Sequence, residues 1–256
     1  MKPHVRRQLL AGEYRLGPTR RVQCDQDVLE IWSALDAQVL KATAIVLAVF
    51  WHSRLSARCF HLAGRGGARA AVRAVRDQLQ PSGPQGSPAP QFVCRTDVKS
   101  YYASIDHDIL LEQLRRLIPD ARVLGLVEQY VRHTVYDGLY ETVTQGICLG
   151  CSLSPLMGAV YLQPVDDAMA KTGLFYARFM DDWVVLAPTH WKLRAAIRLV
   201  NQVLAALKVQ QHPDKTFVGR VGRGFDFLGY TFATVGLTGI ARKTVAGCVA
   251  RMSQLY

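Results

Sequence analysis

Apolar residues recur along this chain with two different periods. Leu193, Ile197, Val200, Leu204 and Leu207 fall at steps of three and four, which predicts an amphipathic helix over Trp191–Leu207. Leu110, Leu111, Leu114 and Leu117 form a second stripe, and Asp106 stands where an N-cap belongs, so a helix is expected from there to about Leu117. Further helices are expected over Ala121–Val135 and from the Ser154-Pro155 start to about Ala170, with one or two buried helices across Trp32–Trp51. Shorter β-prone runs lie between them: Phe92–Val98, Tyr176–Leu186, Phe217–Val221, and Phe225–Phe232, the last reading as a closing hairpin. Strands separated by helices, with antiparallel pairing within Tyr176–Leu186, give an α+β chain. Pro81–Pro90, dense in Pro, Gly and Ser, reads as a loop dividing the N-terminal region from the rest.

Candidate chemistry centres on Tyr176–Leu186, where Asp181-Asp182 is expected to be the tight turn between two strands. Adjacent carboxylates repel, and apolar flanks raise the cost of ionising both. A divalent cation relieves that repulsion, and hard oxygen ligands favour magnesium; a solvated surface turn is the alternative. A second acid, Asp97, stands near the end of the Phe92–Val98 run. Acids from two strands can share a pair of metal ions roughly 3.5–4 Å apart, the arrangement for in-line phosphoryl displacement.

Charge adds a pattern to this picture. The net charge of +11 divides into +8 over residues 1–96, −5 over 97–189 and +8 over 190–256. Basic ends around an acidic centre suit a polyanion held at the flanks and cations held in the middle. With half its residues apolar the chain is globular, and 256 residues allow one large domain or two small ones. Six cysteines do not make a disulfide framework, and Cys148 and Cys151 lack the two further ligands that zinc requires. The apolar run Ala42–Trp51 is too short to span a bilayer and no signal peptide is visible, so no membrane role and a cytoplasmic location are expected. Gly64–Arg76 reads as a glycine-rich loop opening a helix with Arg69, Arg73 and Arg76 along one face, either a phosphate cradle or a solvated helix.

Asp97 with Tyr102 five residues on, followed by Phe179-Met180-Asp181-Asp182, resembles motifs A and C of reverse transcriptases, particularly the prokaryotic group II intron and retron-like branch. Gln145–Leu156 is similar to the block before the catalytic hairpin, His212–Thr216 to motif D, and Gly224–Tyr230 to the primer-grip hairpin. The resemblance implies a right-hand fingers–palm core with an antiparallel palm sheet backed by helices. It divides the chain into a fingers-like region (1–90), a palm (91–232, with a fingers insertion about 107–145) and the start of a truncated thumb or tail (233–256). Ala233–Tyr256 can form at most one or two short helices, so the thumb is expected to be missing or truncated.

The implied activity is RNA-directed DNA polymerisation with two Mg2+ ions, which Mn2+ can replace. The expected partners are an RNA template, a DNA or RNA primer and deoxynucleoside triphosphates, with a protein or structured RNA supplying a thumb-like clamp. By resemblance Asp97, Asp181 and Asp182 are metal ligands, with the Val98 carbonyl assisting, and Lys215 protonates the pyrophosphate. Tyr102 excludes a 2′-hydroxyl, while Lys99, Arg65, Arg69, Leu149 and Gly150 face the nucleotide. Phe227, Leu228 and Gly229 hold the primer end, and Arg178 is expected to join Lys99 as a backbone-phosphate contact.

Two departures stand out. The block often written Pro-Gln-Gly reads Cys148-Leu149-Gly150, and Leu149 cannot hydrogen-bond. The fingers Lys and Arg that grip a triphosphate are missing, with Asp25, Asp27 and Glu30 in their neighbourhood. Both features favour a rival reading, a nucleic-acid-binding or phage-defence protein that keeps the fold with reduced or non-templated synthesis, and the sequence does not say which retroelement or defence system the chain serves. A cyclic-dinucleotide synthase would need a glycine-rich acidic signature turn that this chain lacks.

Overall fold

A computed structural model of the chain describes residues 3–24, 27–80 and 89–253. In chain order its elements begin with α1 (Pro3–Ala11), β1 (Thr19–Cys24), β2 (Asp27–Ile31), α2 (Ala34–Phe50), α3 (Gly67–Leu79) and β3 (Phe92–Thr96). Next come α4 (Tyr101–Ser104), α5 (His107–Leu117), α6 (Ala121–Val131), β4 (Thr134–Tyr136), β5 (Tyr140–Thr142), α7 (Ser154–Tyr161) and α8 (Gln163–Ala170). The remainder is β6 (Phe175–Phe179), β7 (Asp182–Ala187), α9 (His190–Ala206), β8 (Phe217–Arg220), β9 (Phe225–Phe227), β10 (Tyr230–Ala233), β11 (Gly236–Ile240) and α10 (Arg242–Ser253). Residues 81–88 of the expected Pro81–Pro90 loop, and Asp25, lie outside the described residues.

The chain forms two compact units, each assembled from separated segments. The first comprises Met1–Leu55, Ser100–Gln163 and Leu207–Val209; the second Ser56–Lys99, Pro164–Ala206 and Gln210–Tyr256. In the first, a sheet of order β2-β1-β4-β5 joins an antiparallel β1–β2 pair to β4, which runs parallel to β1. Helix α5 starts where its sequence says it must, because the Asp106 carboxylate accepts from the Ile109 N–H. Helix α6 stops short of the expected Val135. Thr134, Val135 and Tyr136 are strand formers, and they pair with β1 and β5 instead. Helix α2 is one continuous helix rather than two, and it is buried along one face only. Val39, Leu40, Ala44 and Leu47 face inward, while Ile45, Val46 and Val49 are exposed.

The second unit holds an antiparallel sheet of order β6-β7-β3-β8. Ala71, Val72, Val75 and Leu79 of α3 pack into a core with Val93, Ala177, Val184 and Leu186 of this sheet. Phe225, Phe227 and Phe232 of the β9–β10–β11 sheet complete that core. Helix α9 lies against β3 and β7 and buries Leu193, Val200 and Leu204 of the expected stripe, with Ala196 in place of the half-buried Ile197. The helix expected over Ser154–Ala170 is two, α7 and α8, interrupted at Leu162 two residues before Pro164, whose missing N–H cannot continue the ladder. Beyond Ala233 the chain first adds strand β11 to β10, which helix-only expectations for this stretch missed, and then forms α10 with no buried residue.

Candidate active site

Pairing within the second unit decides where the acids go. Phe179 pairs with Asp182, so the two residues of the β6–β7 turn are Met180 and Asp181. The expected Asp181-Asp182 turn is therefore shifted by one residue, and Asp182 is the first residue of β7. Thr96 pairs with Trp183, and continuing that antiparallel register sets Asp97 across from Asp182. Side chains alternate along a strand, so Arg95 and Asp97 share the face that also carries Asp182. Arg95 Nε lies 3.7 Å from Asp182 Oδ1. Lys215 Nζ donates to Asp97 Oδ2 at 2.7 Å.

The backbone after β3 is held by the Gln210–Thr216 segment. Lys99 N–H donates to the Gln210 carbonyl, Val98 bridges Gln211, and His212 N–H donates to the Asp97 carbonyl at 2.9 Å. Thr216 Oγ1 bonds Thr96 Oγ1 at 2.6 Å and the His212 carbonyl at 2.7 Å, and Arg95 Nη1 reaches the Lys215 carbonyl at 3.1 Å. His212 comes in with the expected motif D segment, but Arg95 is not expected here. Arg95 was detectable from its spacing of two from Asp97 in a strand.

Burial raises the Asp182 carboxyl to about 7; Asp97 and Asp181 push the same way, and Arg95 opposes. Asp181 is also raised, first by burial, with Asp97 adding and Lys215 opposing. Asp97 Oδ1 and Asp182 Oδ1 are buried and accept no hydrogen bond, which leaves each acid with one hard oxygen unsatisfied. Among the described residues no three His, Cys, Asp or Glu side chains converge into a ready cation cage, and Lys215 and Arg95 pair with two of the acids. Carboxylate oxygens are hard donors of the kind Mg2+ takes.

The other expected residues separate by unit. Arg65, Arg69, Lys99, Phe227, Leu228 and Gly229 belong to the second unit with the acids, and Tyr102, Leu149 and Gly150 to the first. Arg69 and Arg73 are exposed on α3, while Arg76 is partly buried and paired with Asp77 at 2.7 Å. Phe227 is fully buried in the core, so its ring does not face a primer; Leu228 and Gly229, both at positive φ, make the β9–β10 turn. Arg178 is a clear correction. It is fully buried, with Nε 2.8 Å from Asp166 Oδ1 and a second bond from Nη2 to Oδ2, so it cannot reach a nucleic-acid phosphate.

In the first unit, Tyr102 lies on the short helix α4 and stacks on Tyr101, with ring centroids 5.5 Å apart. The Gln145–Leu156 block backs directly onto it. Ile147 N–H donates to the Tyr102 carbonyl at 2.9 Å, and a Cβ on Gly146 would stand 3.0 Å from Ala103 Cα, so this crossing requires glycine. Leu149 is partly exposed, between a buried Cys148 and Gly150 at φ +94. Cys148 Sγ donates to the Glu30 carbonyl at 3.0 Å. The Glu30 carboxylate bonds His133 Nε2 at 2.6 Å, which holds its pKa below the usual range. Arg21 Nε lies 3.7 Å from the same carboxylate, so Glu30 is tied to both β1 and His133 within the first unit.

Comparison with known proteins supplies the lineage of this arrangement. A family model described as reverse transcriptase (RNA-dependent DNA polymerase) matches residues 75–232. Protein YkfC of Escherichia coli (strain K12) is 25% identical over 267 residues, covering 88% of this chain and 69% of that protein. Telomerase from Candida albicans, solved in complex with the TWJ fragment of telomeric RNA, matches at a TM-score of 0.66 and 13% identity, over 95% of this chain and 50% of that one. Apo telomerase from Candida tropicalis matches at 0.64 and 12% identity, over 88% and 49%. The chain spans about half the length of these solved structures, and at such identities the likeness is one of fold. Among the described residues no helix is long and apolar enough to cross a membrane.

Proposed function

The chain belongs to the reverse transcriptase family and has the α+β fingers–palm fold of polymerases, and from that premise we propose that it adds deoxynucleotides to a primer 3′ end on an RNA template. The observation that carries this reading is the pairing of β3 with β7, which sets Asp97 across from Asp182, beside Asp181, with buried carboxylate oxygens that accept no hydrogen bond. Asp97, Asp181 and Asp182, with the Val98 carbonyl, would hold Mg2+. When bound, the ions would polarise the 3′ hydroxyl and neutralise charge on the leaving pyrophosphate.

This chain's own residues supply the rest. Lys215 holds Asp97 in place through a 2.7 Å hydrogen bond and is suited by that position to pass a proton to pyrophosphate. Lys99 and the exposed Arg69, with Arg65, offer cations in the same unit as the acids. Tyr102, five residues after Asp97, is assigned exclusion of the 2′-hydroxyl, with Leu149 and Gly150 facing the base or sugar. The Leu228-Gly229 turn, held by the buried Phe227, is assigned the primer end.

Primer extension on matched RNA and DNA templates with Mg2+ tests the proposal. Template-copied deoxynucleotide products support it. Tight nucleic-acid binding without copied product would instead favour the nucleic-acid-binding or phage-defence reading with reduced or non-templated synthesis, which rests on Leu149 standing where a hydrogen-bonding Gln is usual and on the missing fingers Lys and Arg.

A further inference from the structure

Met180, the residue before Asp181, has φ +59, a left-handed conformation that a residue with a Cβ keeps only when its surroundings impose it. Two side chains impose it here. The Met180 carbonyl accepts from Arg178 Nη1 at 2.8 Å, and Arg178 is itself locked by Asp166. The Met180 N–H donates to His61 Nδ1 at 2.9 Å. Both peptide groups flanking the turn residue are therefore fixed by side chains.

His61 reaches this point because residues 58–61 run along β6. Arg178 N–H donates to the Arg58 carbonyl at 2.9 Å, Phe60 N–H donates to the Arg178 carbonyl at 2.8 Å, and Cys59 bridges Arg178 in parallel register. One step further the imidazole meets the turn, edge-on to Phe179 at 5.9 Å. A backbone N–H can only donate, so Nδ1 must be bare and the ring proton must sit on Nε2. Cys59 Sγ lies 3.4 Å from the same Nδ1, and burial pushes this thiol up to about 12, so it stays protonated as a second donor to the bare nitrogen.

We infer that His61 is a positioning residue that sets the aim of Asp181 by clamping the Met180 N–H, with Arg178 and Asp166 clamping the carbonyl side. The inference rests on reading Asp181 as a metal-bearing acid, but the clamp itself does not. It assigns a role to a histidine that lies outside the matched segment 75–232.

The test compares wild type with His61→Phe, which keeps an aromatic ring beside Phe179 and removes the acceptor, and His61→Asn, whose Oδ1 can stand where Nδ1 stood. Mn2+ binding is read by electron paramagnetic resonance, without substrate. His61→Phe should weaken binding by about tenfold or more, as lost outer-shell partners do, and His61→Asn should restore it to within about twofold. Equal binding by all three proteins, or equal loss in both variants, overturns the inference. If wild type binds no Mn2+, the metal reading fails by itself. Hydrogen exchange at the Met180 amide then decides the clamp: slow in wild type and His61→Asn and fast in His61→Phe supports it, and equal rates overturn it. His61→Leu replaces His61→Phe if the latter does not fold.

Discussion

Lys215 and Asp97, 118 residues apart in sequence, form an ion pair of 2.7 Å between the short turn before β8 and the end of β3. The lysine is about half exposed and the acid nearly buried, so the cation can leave more easily than the carboxylate. This gives the acid centre a built-in counter-charge. Lys215→Met should lower the extension rate by about a hundredfold, the low end of general acid catalysis, with a nearly unchanged nucleotide KM. It should also make thermal stability more dependent on Mg2+, because Asp97 then lacks a cation. A KM change without a rate change would assign Lys215 to substrate binding.

Asp97→Asn or Asp181→Asn should abolish Mg2+-dependent extension while leaving the circular dichroism spectrum unchanged. Each change removes a charged oxygen donor and almost no packing volume. Extension near the wild-type rate in either variant would remove that acid from the metal set.

The raised Asp182 carboxyl gives a pH signature. Its folded pKa of about 7 stands above the ordinary 3.8, so the folded protein holds the proton more tightly than the unfolded chain. The stability gained this way is present below pH 3.8 and is lost as pH rises through about 7. The loss is at most about 4 kcal/mol, since each pKa unit is worth about 1.4 kcal/mol. Urea denaturation of metal-free protein between pH 4 and 8 should show this decline, and Asp182→Asn should flatten it. An identical slope in the variant would place the titration elsewhere.

Tyr102→Ala should raise the ratio of ribo- to deoxynucleotide incorporation by removing the ring assigned to exclude the 2′-hydroxyl. Gly158 offers an indirect version. A Cβ there would lie 3.1 Å from Cε1 of both Tyr101 and Tyr102, so Gly158→Ala must shift the stacked pair. The two variants should move the ratio together; an unchanged ratio in both would make Tyr102 a packing residue.

Leu149→Gln restores the hydrogen-bonding side chain usual at this position. If the site has merely lost one bond of about 0.5–1.5 kcal/mol, nucleotide KM should fall about twofold to tenfold. Lower activity would mean that the partly exposed Leu149 belongs to a pocket of different chemistry.

Local order was legible in the chain. Helices α5 and α9 lie within a residue of their expected bounds, because leucine spacing and an Asp106 cap act within a few residues. The β6–β7 and β9–β10 hairpins and the strand ending before Asp97 were readable from β-prone runs with turn residues between them. The order of the acid motifs likewise needed only sequence, since it is a linear property.

Tertiary structure decided the rest. Whether a charge is a surface contact or a buried lock depends on what packs over it, and Arg178 was misread for that reason: its partner Asp166 sits on a different element. One residue of register decided which Asp occupies the turn, a choice made by cross-strand pairing of Phe179 with Asp182 rather than by either residue's preference. His61 had no local signal at all, since the amide it holds is 119 residues away. Sequence determined the amphipathic helices, the main β-prone runs and the order of the acids along the chain; the fold alone determined how those acids are held, because hydrogen bonds and burial join residues that the chain keeps far apart.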